Sequence, residues 1–199
     1  DVRVDEYFWL RERDNPDVID YLEAENAYTE RMLEDSSGLF ERLVEEMQAR
    51  IKEEDASAPY KHGDYFYYYR YKEGQEYPIY CRRKGSLTAP EEILLDVNVE
   101  ADDEAYFAVR GFTVSPDHSI AAYGVDTVGR RFYDVHFIDL DSGKKLPTTI
   151  KQVTGNLVWA SDNQTVFYTQ QDRETLRWDK AYRFDLETGE SELVFEEAD

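Results

Sequence analysis

The chain has 199 residues, with 44 acidic side chains against 23 basic ones and a formal net charge of −21. An excess of that sign and size repels nucleic acid and anionic membrane surfaces; it would attract basic peptides over long range, and the simpler reading is that the acidity serves only solubility. Hydrophobic residues at 41% and aromatics at 15% supply enough apolar material for a folded core and argue against disorder.

No apolar run approaches the ~20 residues of a membrane span, and no basic-then-apolar signal segment opens the chain. The single cysteine, Cys81, excludes an internal disulfide and fits a reducing cytoplasm.

Residues 1 to 56 read as helical. Asn15-Pro16-Asp17 is a helix start, with Asn as the cap, Pro at the first helical position and Asp in the first turn. Val18, Tyr21, Leu22, Ala24, Tyr28 and Met32 recur at helical spacing, and Ser36-Ser37-Gly38 is expected to break the helix. Leu39, Phe40, Leu43, Val44, Met47 and Ile51 form a second apolar stripe. Two such helices bury little alone and need a further surface to cover.

After Ala56 the pattern changes to strands. Tyr65–Tyr71 is nearly all aromatic, Glu73-Gly74-Gln75 turns, and Tyr77–Arg83 returns, ending at Lys84-Gly85. Glu92–Val97 is a short apolar strand, followed by an acidic loop through residue 105. Then two stretches repeat each other. Val114-Ser115-Pro116-Asp117-His118-Ser119 leads into Ile120–Tyr123 and later Phe137-Ile138-Asp139-Leu140-Asp141-Ser142-Gly143. Trp159-Ala160-Ser161-Asp162-Asn163-Gln164 leads into Thr165–Tyr168 and later Phe184-Asp185-Leu186-Glu187-Thr188-Gly189. Ser115 to Ala160 is 45 positions, and Asp139 to Asp185 is 46. A strand-rich repeat of roughly 40–50 residues is the signature of a β-propeller blade. His62-Gly63-Asp64 marks an earlier, less regular copy, and Ser191–Phe195 begins a further strand. The expected fold is mainly β with N-terminal helices: a helical arm over 1–57, then about three blades of a partial propeller over 58–199. Propellers close with about four to eight blades, so this ring is not expected to close within the chain.

Chemistry-bearing motifs are sparse. No G-x-S-x-G nucleophile elbow is present, and Ser86, which follows Gly85, lacks the second glycine. His62 and His118 fall in expected turns, where exposure is the default, and His136 in a strand; none has metal-ligand spacing to a carboxylate or cysteine. Asp139, Asp141 and Gly143 faintly resemble a calcium loop, but their recurrence as Asp185, Glu187 and Gly189 reads as hairpin turns. Asn163-Gln164-Thr165 matches a glycosylation acceptor and is read instead as the repeated turn. Arg82 and Arg83 could lower the Cys81 thiol pKa, although a packed strand cysteine is the simpler account. The tyrosine run could stack single-stranded nucleic acid, a reading the charge opposes. No catalytic, cofactor or metal residue is assigned.

Several strings together resemble one family. They are Tyr7-Phe8-Trp9-Leu10-Arg11-Glu12, Val18–Tyr28, Arg50–Asp55 with Pro59-Tyr60, Gly74–Arg83, Gly111–Asp117 and Val125–Arg131. The chain is similar along its whole length to the N-terminal part of the prolyl oligopeptidase family of serine peptidases, nearest to its oligopeptidase B (protease II) branch. Glu6 departs from the proline common there. The resemblance implies an α/β-hydrolase capped by a seven-bladed propeller, with the Ser, Asp and His triad C-terminal to the propeller, so no catalytic residue carries over to this sequence. It further implies that residues 1–57 pack on the hydrolase domain and that the propeller restricts access to short peptides, cleaved after Arg or Lys by the parent. By itself the chain is then expected to be inactive and cofactor-free. The alternative is a stand-alone partial-propeller interaction module without enzymatic activity. Either way, an open blade edge invites edge-to-edge self-association.

Overall fold

A computed structural model describes residues 3–102 and 104–198. Residues 1 and 2 of the expected helical span, and Asp103 of the acidic loop, lie outside the described residues. The chain divides into two compact units, Asp1–Lys52 and Glu53–Asp199.

In the first unit a short 3-10 turn, Phe8–Arg11, precedes α1, Pro16–Leu33. The helix starts where the sequence places it: the Asn15 side chain accepts from the Asp17 N–H at 3.0 Å, and Pro16 takes the first position. The break comes earlier than expected. A 3-10 turn at Glu34–Ser36 ends α1, and Ser37 and Gly38 already belong to α2, Ser37–Gln48. The first turn of a helix leaves its N–H groups without intrahelical partners, so weak helix formers are tolerated there. The helical reading to residue 56 also runs too far. After α2, the Ser57 N–H donates to the Tyr69 carbonyl and the Tyr71 N–H to the Asp55 carbonyl, so this segment follows a strand.

In the second unit, twelve strands form three four-stranded antiparallel meanders among the described residues. Blade A holds β1 (Tyr60–His62), β2 (Tyr65–Arg70), β3 (Ile79–Lys84) and β4 (Glu91–Asp96). Val97, expected to end β4, instead opens the one-turn helix α3, Val97–Glu100, capped by the Asp96 carboxylate. Blade B holds β5 (Ala108–Val114), β6 (Ile120–Asp126), β7 (Tyr133–Asp139) and β8 (Lys144–Val153). Blade C holds β9 (Leu157–Trp159), β10 (Thr165–Gln171), β11 (Trp178–Asp185) and β12 (Ser191–Glu196).

The core lies between sheets. Leu95, Val97 and Phe107 pack on Tyr123, Val125 and Ile138 between blades A and B. Ala122, Val135, Phe137, Ile150 and Val153 pack on Val166, Tyr168 and Phe184 between blades B and C. The Phe137 ring stacks on Phe184 at 5.8 Å. β6 is buried on both faces, which is why its sequence runs almost continuously apolar rather than alternating. The outer strand β12 is exposed throughout.

Blades B and C approach closely at two glycines. Gly111 sits at a bulge in β5 with φ +69°, and a Cβ there would fall 1.9 Å from the Gly155 carbonyl oxygen.

Candidate functional site

The first turns of the three blades superimpose in the repeat. Each puts one residue at positive φ two positions ahead of the second strand: Gly63 (57°), His118 (66°) and Asn163 (61°). Each such turn is joined to its neighbour. The His118 Nδ1 pairs with the Tyr67 hydroxyl at 2.8 Å, and its ring lies where a Gly63 side chain would be. The Asn163 Oδ1 accepts from the Asp117 N–H at 2.9 Å. Arg82 completes the A–B joint. Its side chain, only 5% exposed, donates to Glu92 at 2.7 Å and to the His118 carbonyl at 2.7 Å, and lies over the Tyr65 ring. His118 is therefore half-buried structural cement, not the exposed turn histidine read from the sequence. Burial, with His62 and Arg82 nearby, lowers its pKa.

At the opposite end of blades B and C the second-to-third strand connections meet. The buried Gln171 donates to the Arg131 carbonyl at 2.7 Å and accepts from the Trp178 indole at 3.0 Å. Asp126, also buried, accepts three N–H bonds from Val128, Gly129 and Arg131, which fixes the β6–β7 connection. The Arg110 guanidinium spans the joint, 5.9 Å from the Tyr133 ring and 5.5 Å from the Trp178 ring.

On blade A, Glu91 gathers Arg70, Arg83 and the Tyr68 hydroxyl. Hydrogen bonding to Arg70 holds the Glu91 carboxyl below its ordinary range. Burial and the bond to Glu91 push the Tyr68 phenol up to about 12. Cys81 is buried in the same sheet, and that burial pushes its thiol up to about 11, opposite to what Arg82 and Arg83 suggested. Arg82 turns away toward Glu92, and Arg83 toward Tyr68.

The other sequence candidates are dispersed. Ser86 lies in the β3–β4 turn against Thr88. His136, on β7, is 5.8 Å from the Tyr123 ring and held below its usual pKa by burial and by Lys145 and Lys151. Asp139 and Asp185 accept from the Ser142 and Thr188 N–H groups within hairpin turns, as their recurrence indicated. Asn163 is the repeated turn. Among the described residues, no three His, Cys, Asp or Glu side chains are grouped to hold a metal, and the one side-chain hydrogen bond of a histidine ring goes to Tyr67. The arrangement is suited to packing and binding. Sequence reading missed Arg82, Asp126 and Arg110, whose roles come from partners 10 to 68 positions away or from loop amides; aligning the three turns at Gly63, His118 and Asn163 would have singled out His118.

The helical unit carries a different surface. Leu33, Leu39, Phe40 and Leu43 line an open apolar groove, with Phe40 68% exposed. No helix among the described residues is long and apolar enough to cross a membrane.

Successive four-stranded meanders, packed face to face with their first turns linked in series, define a β-propeller protein. The whole chain, residues 1–199, matches the family described as "Prolyl oligopeptidase, N-terminal beta-propeller domain". It is 39% identical to dipeptidyl aminopeptidase BI of Pseudoxanthomonas mexicana, over 99% of this chain and 30% of that protein. It is 34% identical to Protease 2 of Moraxella lacunata, over 100% of this chain and 30% of that protein. Among solved structures, oligopeptidase B from Leishmania major superimposes with a TM-score of 0.87 at 32% identity, covering 99% of this chain and 29% of that one. Oligopeptidase B from Trypanosoma brucei with covalently bound antipain superimposes at 0.86 and 30% identity, covering 99% and 28%. The chain belongs to the prolyl oligopeptidase family and corresponds to its N-terminal propeller domain. It spans less than a third of the length of these relatives.

Proposed function

We propose that this chain is the N-terminal and propeller portion of a serine oligopeptidase that cleaves short peptides after Arg or Lys, the propeller gating substrate size. The observation carrying this reading is the end-to-end match to oligopeptidase B structures at 30–32% identity. Residues 1–57 act as an arm that packs on a C-terminal α/β-hydrolase domain; the exposed apolar groove of α1 and α2 supports this. Residues 58–199 are the first blades, and the exposed Val158, Phe167 and Phe195 on the far face of blade C suit a following blade. The net charge of −21 supports attraction of basic peptides. The single buried cysteine supports a cytoplasmic setting.

The test uses the full-length polypeptide with N-terminally blocked fluorogenic peptides bearing Arg, Lys, Ala or Pro before the scissile bond, over a range of lengths. Turnover after Arg and Lys, falling steeply with peptide length and abolished by a serine-directed inhibitor, is expected. Equal turnover of Ala and Pro peptides would overturn the specificity, and length-independent turnover the gating. Residues 1–199 alone should show no inhibitor-sensitive turnover.

The similarity to a protein named a dipeptidyl aminopeptidase favours a second reading, in which the parent removes dipeptides from free N-termini. Blocked and unblocked peptides of the same sequence separate the two, because only the second mode requires the free amine.

A further inference from the structure

Most guanidinium groups of the blades are matched to carboxylates. Arg70 and Arg83 face Glu91, Arg82 faces Glu92, Arg177 faces Glu197 and Arg183 faces Glu192. These are five of the nine arginines in residues 58–199. Arg110 is an exception: among the described residues its guanidinium makes neither an ion pair nor a hydrogen bond, only the two ring contacts. Rings engage the faces of a guanidinium, so the in-plane N–H donors that suit a carboxylate fork stay available.

Further unpaired arginines lie in the neighbouring connections. The side chains of Arg130, Arg131 and Arg173 are exposed in the β6–β7 and β10–β11 connections, without ion-pair partners among the described residues. Those connections meet at this end of the joint through the Gln171–Arg131 bond. The carboxylates of the same two connections are Asp126, Asp172 and Glu174; Asp126 accepts from three backbone N–H groups, and Asp172 from those of Glu174 and Thr175, and none of the three forms an ion pair with Arg110. The opposite end of the same blades carries Asp117, Asp139, Asp162 and Asp185 in its turns. The turns at that end hold no arginine, whereas the connections at this end hold Arg130, Arg131, Arg173 and Arg177. Trp178, half exposed, and the buried Tyr133 form apolar walls beside the unpaired cation.

We propose that Arg110, between Tyr133 and Trp178, is a carboxylate-binding seat at the end of the B–C joint where the β6–β7 and β10–β11 connections meet. It takes the carboxylate of a peptide, either the free C-terminus or an acidic side chain. That peptides are the molecules presenting it rests on the oligopeptidase reading; the carboxylate seat itself does not.

Trp178 is a built-in reporter. The full-length protein is titrated, following tryptophan emission, with three probes: acetyl-Ala-Ala-Ala with a free carboxylate, its C-terminal amide, and acetyl-Ala-Glu-Ala-amide. Saturable titration by one or both carboxylate-bearing probes, at least about tenfold tighter than by the amide, is expected for a charge-assisted bidentate pair. Whichever of those two binds more tightly identifies the source. Arg110→Gln should abolish the difference, and Arg110→Lys, which keeps the charge but loses the fork, should retain only part of it. Calorimetric titration repeats the comparison without relying on Trp178. Equal titration by acid and amide, absence of any titration at millimolar probe, or an unchanged difference in a folded Arg110→Gln protein would overturn the proposal. Binding is read without turnover, so failure of the cleavage assay and failure of this one are separate results.

Discussion

Replacing Gly111 by alanine tests how tightly blades B and C are joined. Gly111 has φ +69°, a conformation that costs an L-residue about 1–2 kcal/mol. Its new Cβ would also lie 1.9 Å from the Gly155 carbonyl oxygen, whereas carbon–oxygen contacts settle at about 3.3 Å or more. The obstacle is backbone and cannot rotate aside, so the blades must separate by more than about 1 Å, an overpacking cost of about 1–3 kcal/mol. The total is about 2–5 kcal/mol. Gly143→Ala is the internal control. Gly143 has φ +68° in the β7–β8 turn with nothing within 4 Å of its Cβ position, so it carries the conformational cost alone. Equilibrium urea unfolding of both variants isolates the clash. With an m-value of about 2 kcal/mol per molar urea, the Gly111 variant should unfold roughly 0.5–1.5 M below the Gly143 variant. Coincident midpoints with unchanged m would refute the close approach as a stability determinant.

Other consequences follow from the joints and the buried groups. Arg82→Met strips Glu92 and the His118 carbonyl of a buried partner and should cost about 2–4 kcal/mol by calorimetry; a loss below about 0.5 kcal/mol, the range of an inert surface change, would contradict its role as the A–B clamp. His118 and His136 have lowered pKa values, so the unfolded chain binds more protons than the folded one below the unfolded value of about 6.5. Stability should therefore fall as pH drops from about 6.5 through the lowered folded values. His118→Asn, which tolerates positive φ as Asn163 does, should flatten that fall, and an unchanged pH profile would exclude His118 from it. Cys81, buried and with its thiol raised to about 11, should react with a maleimide at pH 8 at least about a hundredfold more slowly in the native protein than in urea. Comparable rates would mean that β3 opens readily.

Local signals were legible wherever a short-range rule governs. The cap at Asn15, the aromatic strand β2 and the recurring hairpin turns at Asp139 and Asp185 depend on residues within about four positions of each other. The end of the helical arm was not legible in this way. Residues 55–57 are drawn onto β2 by its unpaired backbone groups, a demand visible only once the sheet exists. His118 was misread for a related reason: its turn is local, but its burial comes from Tyr67, 51 positions earlier.

By itself the sequence determined the repeat, the number of blades it can supply and the family, because spacing and residue pattern carry these along the chain. Only the tertiary structure decided what the repeat positions do. Gly63, His118 and Asn163 occupy one position of the repeat and become a socket, a plug and a bracket through their neighbours in adjacent blades. Cys81 became buried and Arg110 unpaired for the same reason. Burial and charge pairing are set by what lies across a sheet joint, and a sheet joint brings together residues that no sequence window holds.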